Sequence, residues 1–245
     1  MRAALLTIGD ELLAGDTENT NASWLAAQLT SRGVTTKRIL VIPDEIELIA
    51  RKTREYAEEF DAVILTGGLG GTHDDLTMAA VARAFDRELE VDELARTDVE
   101  ETLEGVRERL PDLDIDVAAH AAIPAGGRPL LNGEGLAPGC VIENVYVLPG
   151  IPREMKPMFE SVVEEFSGTA RSRVVYTTTP EGEYTKMLTE ARDRFDVSVG
   201  SYPSRSEGQR RNRIKILGED EARLAEAADW IEARVDPYEG EEVED

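Results

Sequence analysis

The chain has 245 residues, of which 50 are acidic and 27 are basic, so its formal net charge at pH 7 is −23. This charge disfavours binding to nucleic acid and to anionic membranes, and no apolar run approaches the roughly 20 residues that span a bilayer. The single cysteine, Cys140, excludes an intrachain disulfide and a zinc site built on cysteines. The first residues lack the layout of a signal peptide. We therefore expect a cytoplasmic protein with one medium α/β domain and one small domain.

The acidic residues are spread along the chain, and only five of the basic residues are lysines. Such a surface is typical of proteins from halophiles that accumulate salt, in which acidic charge adapts the protein to its solvent. We interpret the charge in this way, and not as the sign of a basic partner.

The first predicted element is a buried strand at residues 2–8, and Gly9, Asp10 and Glu11 follow it. Carboxylates and a glycine therefore stand at the carboxyl end of a strand, which is where open parallel sheets bind ligands. Asn19 and Asn21 belong to a capping segment for a helix that continues to about residue 31.

A second strand is predicted at residues 35–42, and Pro43-Asp44-Glu45 begins the next helix. Asp44 has the residue type of a helix N-cap. It also lies just beyond the carboxyl end of a strand, so it is equally a candidate site residue. Both interpretations stay open at this point.

A glycine-rich loop at residues 66–77 separates a third strand, at residues 62–65, from a helix at residues 76–85. Its glycines allow positive φ and a close approach of the backbone to a ligand, and a helix N-terminus favours phosphate. The neighbouring carboxylates Asp74 and Asp75 would repel a bare phosphate, so Mg²⁺ or a polar ring system fits better as part of the ligand. The alternative is a glycine turn with an aspartate cap.

Further along, we predict a helix at residues 92–110 and then an irregular loop at residues 120–138. The apolar positions of this helix are Leu94, Val99, Leu103, Val106 and Leu110. Short strands at residues 139–143 and 145–148 lead into a tight turn and a helix at residues 153–166. This alternation predicts a three-layer α/β/α fold around a mostly parallel sheet.

We place a domain boundary at residues 167–169, which gives domains 1–168 and 169–245. The second domain is predicted to be a small α+β unit of order β-α-β-β-α with an antiparallel sheet. Its loop at residues 204–213 carries the one dense basic cluster of the chain, which is either a solvated hairpin tip or a phosphate clamp. This cluster consists of Arg205, Arg210, Arg211 and Arg213.

Five blocks of the sequence, in this order, resemble the N-terminal part of the CinA family (competence/damage-inducible protein A), which has the molybdopterin-binding fold. The blocks are Ile8-Gly9-Asp10-Glu11-Leu12-Leu13-Ala14-Gly15, Asn19-Thr20-Asn21, Val41-Ile42-Pro43-Asp44-Glu45, Thr66-Gly67-Gly68-Leu69-Gly70-Gly71-Thr72-His73-Asp74-Asp75-Leu76-Thr77 and Leu148-Pro149-Gly150-Ile151-Pro152-Arg153-Glu154-Met155. The resemblance covers about residues 1–166, and the small domain resembles the CinA middle domain more weakly. Full-length CinA continues into a nicotinamide-mononucleotide deamidase domain, which has no counterpart here, so we do not expect deamidation.

The resemblance implies roles for individual residues. It assigns Asp75 and Asp44 to catalysis and to Mg²⁺ binding, by analogy with related molybdopterin adenylyltransferases and with the ADP-ribose cleavage attributed to CinA proteins. It implies ligand contacts for Gly9, Asp10, Glu11, Asn21, Thr66, Gly67, Gly68, Gly70, Thr72, Asp74, Pro149, Gly150 and Pro152. Two positions depart from the family pattern: Gly71 stands where proline is usual, and His73 stands where lysine is frequent. His120 and Cys140 lie outside the matched blocks, and we expect them to be structural.

Three functions are compatible with this pattern. The first is a Mg²⁺-dependent enzyme that cleaves a nucleotide pyrophosphate such as ADP-ribose. The second is a protein that binds or adenylylates molybdopterin, and the third is a non-catalytic module that regulates a partner. In each case we expect a small phosphate-bearing ligand and a homo-oligomer, with no nucleic acid and no membrane as partner.

Overall fold

A computed structural model describes residues 1–71, 75–108, 110, 113, 115–206 and 209–238. The chain divides into two compact units, Met1–Gly168 and Thr169–Asp245. Within the described ranges, no helix combines the length and the apolar character that crossing a membrane requires.

The first unit alternates strands and helices along most of its length. Its elements are β1 (Arg2–Ile8), α1 (Asp10–Ala14), α2 (Thr20–Ser31), β2 (Thr35–Ile42), α3 (Ile46–Glu59), β3 (Ala62–Thr66), α4 (Thr77–Ala84), β4 (Leu89–Val91), α5 (Glu93–Arg107), α6 (Val117–His120), β5 (Ala122–Pro124), β6 (Arg128–Leu130), β7 (Gly139–Ile142), β8 (Val145–Leu148) and α7 (Pro152–Val162), and a 3-10 turn (Val163–Glu165) follows.

The central sheet has six strands in the order β2-β1-β3-β8-β7-β6. Strands β2, β1, β3 and β8 run parallel, whereas β7 and β6 run antiparallel. Thr66, at the end of β3, pairs with Thr7 of β1 and with Leu148 at the end of β8. The carboxyl ends of four strands therefore lie side by side along one edge of the sheet, and the loops that follow them meet there.

Successive residues of β1 point to opposite faces of the sheet, as the two-residue period of a strand requires. Leu6 belongs to a core cluster that includes Ile49 of α3 and Val81 of α4. Leu5 belongs to a second cluster, with residues of α2 and α7 such as Phe159. The sheet is thus covered by helices on both faces, which confirms the predicted three-layer α/β/α fold.

Several local predictions were wrong. The loop at residues 120–138 contains two short strands, β5 and β6, and β5 pairs with β4, which was also missed. Helix α5 ends at Arg107, and Leu94 and Leu110 are 66% and 57% exposed. The side chain of Asp92 accepts hydrogen bonds from the backbone N–H groups of Leu94 and Ala95, and this cap fixes the start of the helix so that Ala95 takes the buried position.

The second unit contains β9 (Arg171–Thr177), α8 (Glu181–Phe195), β10 (Ser198–Tyr202), β11 (Arg205–Ser206), β12 (Gln209–Arg210), β13 (Asn212–Gly218) and α9 (Glu221–Glu232). An antiparallel sheet of order β10-β13-β9 packs against the two helices around a core that includes Val175, Tyr184 and Ile214. The predicted α+β unit is therefore present. Its basic loop contains a small hairpin formed by β11 and β12.

Candidate ligand-binding site

The glycine-rich loop leaves β3 at the shared edge of the sheet with two residues in the left-handed region, Gly67 at φ 105° and Gly68 at φ 63°. Such values favour glycine because they strain residues that carry a Cβ. A Cβ on Gly67 would also overlap the carbonyl oxygen of Ile8, so the loop packs directly on the end of β1.

Three hydrogen bonds fix this loop. Gly67 N donates to Leu148 O at 3.2 Å, Thr77 Oγ1 donates to Gly67 O at 2.8 Å, and Thr77 N donates to Gly68 O at 3.1 Å. The loop is thus tied both to β8 and to the first residue of α4.

Both predicted catalytic carboxylates lie against this loop. A Cβ on Gly68 would lie 3.3 Å from Asp44 Oδ1, and a Cβ on Gly70 would lie 2.5 Å from Asp75 Oδ2. Asp44 Oδ2 also accepts a hydrogen bond of 3.1 Å from the backbone N–H of Asp10. The loop after β2 thus brings Asp44 to the glycine loop that carries Asp75, and the loop after β1 contributes the backbone N–H of Asp10.

Asp44 does not occupy the N-cap position of α3. That helix begins at Ile46, and Glu45 is its N-cap residue. The N-cap interpretation of Asp44 is therefore wrong, because the chain turns one residue later than the sequence pattern indicated.

A pocket of about 80 Å³ opens beside the glycine loop. Six of its lining residues were predicted from the sequence, namely Glu11, Asn21, Thr66, Gly67, Gly150 and Pro152. The others were missed, namely Thr7, Ile8, Leu12, Thr17, Glu18, Asn19 and Thr20. Most of the missed residues belong to the segment between β1 and α2, where the polar composition alone does not separate lining from exposed positions.

Asn21 is the most informative residue of this pocket. It is only 8% exposed, and its Nδ2 donates a hydrogen bond of 2.6 Å to Gly150 O. Its Oδ1 is buried and has no hydrogen-bond partner among the residues that the structure describes. A buried acceptor without a donor is costly, so this oxygen calls for an N–H or O–H group of a ligand or of water.

The neighbouring Asn19 performs the predicted capping role, since its Oδ1 accepts a hydrogen bond of 3.2 Å from Ala22 N. Its Nδ2 donates to Thr7 Oγ1 at 3.1 Å, which ties the start of α2 to the end of β1. The cap therefore also positions Asn21, two residues later.

None of the other described residues that were predicted to contact a ligand lines this pocket, and neither do Asp44 and Asp75. Gly9 donates its N–H to Ile42 O at 3.2 Å, Asp10 is exposed beside Asp44, and Pro149 is buried. Thr72 and Asp74, like His73, lie outside the described residues.

His120 lies against the glycine loop, which the sequence did not predict. A Cβ on Gly71 would be 2.7 Å from both Cε1 and Nε2 of this imidazole, whose Nδ1 is 2.9 Å from Asp116 O. The absence of a side chain at Gly71 thus leaves room for the imidazole of His120, which belongs to α6 and lies about 50 positions later in the chain. No pattern in the sequence connects Gly71 with His120.

Cys140, by contrast, is structural, as expected. It is completely buried in the core, and burial raises the pKa of its thiol to about 12. It therefore takes no part in the candidate site.

Comparison with known proteins agrees with this geometry. Residues 4–168 match the family model described as "Probable molybdopterin binding domain". The chain belongs to this family. Residues 169–241 match the model for the FAD synthase middle domain, where the sequence had suggested a CinA middle domain.

Relatives match over almost the whole chain. A protein of Archaeoglobus fulgidus is 36% identical over 234 residues, which cover 95% of this chain and 97% of the relative. A protein of Pyrococcus furiosus is 37% identical over 246 residues, with 96% and 97% covered.

Among solved structures, the protein CinA of unknown function from Thermoplasma acidophilum superimposes with a TM-score of 0.59. It is 32% identical, and the match covers 67% of this chain and 97% of that structure. The resemblance to CinA that the sequence suggested is thereby confirmed.

Proposed function

We propose that the first unit binds a small phosphate-bearing molecule together with Mg²⁺ and cleaves a nucleotide pyrophosphate, with ADP-ribose as the leading substrate. One observation carries this proposal: Asp44 and Asp75 follow two different strands and lie against Gly68 and Gly70 of one loop. Two carboxylates on a backbone that suits phosphate form a site for a phosphate and a divalent cation together.

The phosphate would bind to the glycine loop. Positive φ at Gly67 and Gly68 turns the backbone at the end of β3, and α4 then begins at Thr77, directly after Leu76. The first N–H groups of a helix have no partner within the helix, and they favour anions. The N–H groups of Gly67 and Thr77 already donate to Leu148 O and Gly68 O, so a phosphate would bind to other N–H groups of the loop and the helix start, which carry no side-chain charge.

Asp44 and Asp75 fit Mg²⁺ as ligands. This ion usually binds one or two carboxylates and completes its shell with water and substrate phosphate, so two aspartates are enough to hold it. The described part of the chain contains no group of three or more His, Cys, Asp or Glu side chains suited to a metal. When bound, Mg²⁺ neutralises charge on a breaking pyrophosphate bond and activates water. Asp10 and Glu11 are the next candidate ligands.

Asn21 would recognise the part of the ligand that is not phosphate. Phosphate oxygens at neutral pH are mainly acceptors, whereas the unsatisfied Oδ1 of Asn21 needs a donor. Ribose hydroxyls, an adenine amino group and the ring N–H groups of a pterin are all suitable. The site therefore selects for a polar organic group beside the phosphate.

Molybdopterin binding, with or without adenylylation, is the second candidate function. The match of residues 4–168 to a molybdopterin-binding family favours it. A protein with this function would bind the pterin phosphate but would not release AMP from ADP-ribose.

The test combines activity with stability. We expect the wild-type protein to release AMP from ADP-ribose with Mg²⁺ and not with EDTA. Asp75→Asn, which preserves size and removes charge, should lower this rate by about 10²-fold or more without changing the melting temperature. Asp229→Asn is the matched control, since Asp229 is exposed in the second unit, and it should retain the full rate.

A wild-type rate in Asp75→Asn would reject the catalytic role of Asp75. If the wild-type protein releases no AMP but is stabilised by molybdopterin, the second candidate is correct. Stabilisation by a nucleotide or a pterin without any reaction would identify a non-catalytic binding module.

A further inference from the structure

The function proposed for the first unit does not involve two arginines of the second unit. Arg205 and Arg210 are directly paired across the β11–β12 hairpin, and both are exposed. Like charges directly opposite each other on paired strands destabilise the pair. An anion between them would reverse that effect.

The other arginines of the basic cluster have different surroundings. The guanidinium of Arg211 lies 5.7 Å from the ring centroid of Tyr238, and that of Arg213 lies 5.3 Å from the ring centroid of Tyr202. Arg205 and Arg210, in contrast, have no ion pair, side-chain hydrogen bond or ring contact with any residue within the described ranges. Of the four arginines in the predicted cluster, Arg205 and Arg210 are therefore the two that have no such partner among the described residues and could bind a ligand.

Two open depressions adjoin this pair, and their linings differ in charge. The smaller, of about 290 Å³, includes the carboxylate of Glu181, which opposes an anion. The larger, of about 430 Å³, is lined by Thr178, Arg205, Gln209 and Arg210, and none of its described lining residues is a carboxylate. An anion is therefore favoured on the side of Thr178 and Gln209.

The base of the hairpin is held in place by a buried residue. Asn212 is 3% exposed; its Nδ2 donates to Thr179 O at 2.8 Å, and its Oδ1 accepts from Ser204 N at 3.2 Å. The backbone N–H of Arg211 also donates to Ser204 O at 2.9 Å. These hydrogen bonds hold together the residues that precede β11 and follow β12. The backbone that carries Arg205 and Arg210 is therefore anchored at its base.

We propose that Arg205 and Arg210 form a second anion site, separate from the glycine loop, that binds the phosphate group of a small molecule on the Thr178–Gln209 side of the hairpin. Planar guanidinium groups match phosphate oxygens in bidentate geometry. The depression is as large as typical small-molecule pockets, which begin at about 300 Å³, so it accommodates a phosphate or pyrophosphate with part of its organic group.

The test is an NMR titration of the full chain with inorganic pyrophosphate. The backbone amide signals of Gln209, Arg210 and Asn212 belong to the hairpin and its base, so their shifts report on binding there. We expect saturable shifts of these signals that sodium chloride at equal ionic strength does not reproduce.

Substitution then assigns the shifts to the arginines. Arg205→Gln with Arg210→Gln should weaken binding at the hairpin by about 10-fold or more, and removing two opposed charges should not unfold the hairpin. Arg173→Gln with Lys186→Gln removes the same charge from other exposed positions of the second unit and should bind as wild type. The proposal fails if the hairpin signals do not saturate, if sodium chloride reproduces them, or if the Arg205/Arg210 variant binds as tightly as the control.

Discussion

Asn21→Leu separates the stability of the ligand-free protein from its affinity for a ligand. Leucine retains the branching at Cγ but removes the hydrogen bond to Gly150 O and the unsatisfied Oδ1. Loss of this hydrogen bond should lower the free energy of unfolding by about 1 kcal/mol, whereas removal of a buried acceptor that has no donor should raise it by about 1–3 kcal/mol. The free energy of unfolding without ligand should therefore remain unchanged or rise.

Ligand binding should respond in the opposite direction. Without Oδ1, the N–H or O–H group of the ligand that reaches Asn21 is left without an acceptor. The affinity for ADP-ribose should fall by about 10-fold to 100-fold, which corresponds to about 1.4–2.8 kcal/mol.

Asn132→Leu is the matched control, because Asn132 is another buried asparagine, at 2% exposure, whose polar atoms all have partners. Its Nδ2 donates to Ala137 O at 2.8 Å and to Glu154 Oε2 at 3.0 Å, and its Oδ1 accepts from Glu134 N at 3.3 Å. Loss of three bonds, one of them to a buried carboxylate, should lower the free energy of unfolding by about 3 kcal/mol or more.

Urea unfolding of the ligand-free proteins measures the first quantity, and calorimetric titration with ADP-ribose and Mg²⁺ measures the second. If Asn21→Leu destabilises the protein as much as Asn132→Leu does and still binds the ligand as wild type, Oδ1 of Asn21 is not a ligand contact.

Three further predictions concern the loop, the core and the surface. Gly70→Ala should displace the Asp75 carboxylate, which would lie 2.5 Å from the new Cβ, and should therefore lower the rate of AMP release. Gly133→Ala is the control, because a Cβ at Gly133 would have nothing within 4 Å, and it should retain the wild-type rate. Equal rates in the two variants would contradict the placement of Asp75. Cys140, buried and with a pKa of about 12, should not react with a thiol reagent at pH 8 until the protein unfolds, and rapid labelling of the folded protein would contradict its burial. The melting temperature should rise as KCl increases from dilute buffer to molar concentration, because salt screens the repulsion within a chain of net charge −23; a flat or falling curve would reject the halophilic interpretation.

The sequence predicted the fold, and the edge of the sheet at which the loops meet, because both follow from local patterns. The parallel strands were recognisable as short apolar runs between helices, and the carboxyl ends of such strands meet at one edge. That rule predicts that Asp44, which follows β2, lies close to the glycine loop that contains Asp75.

The features that the sequence did not predict depend on distant contacts. The free Oδ1 of Asn21 results from its Nδ2 bonding to Gly150, 129 positions later. His120 reaches Gly71 only through the path of the chain around α5 and α6. The exposure of Leu94 depends on the cap that Asp92 makes with the backbone N–H groups of Leu94 and Ala95. Helical periodicity alone does not show where this cap fixes the start of α5.

The most direct test of the proposed site is a crystal structure of the protein with Mg²⁺ and an ADP-ribose analogue whose bridging pyrophosphate oxygen is replaced by a methylene group. We expect a phosphate on the backbone N–H groups of the glycine loop, Mg²⁺ bound to Asp44 and Asp75, and a ligand N–H or O–H group that donates to Asn21 Oδ1. A ligand bound elsewhere on the first unit, or one in this pocket that contacts neither aspartate, would contradict the proposed site.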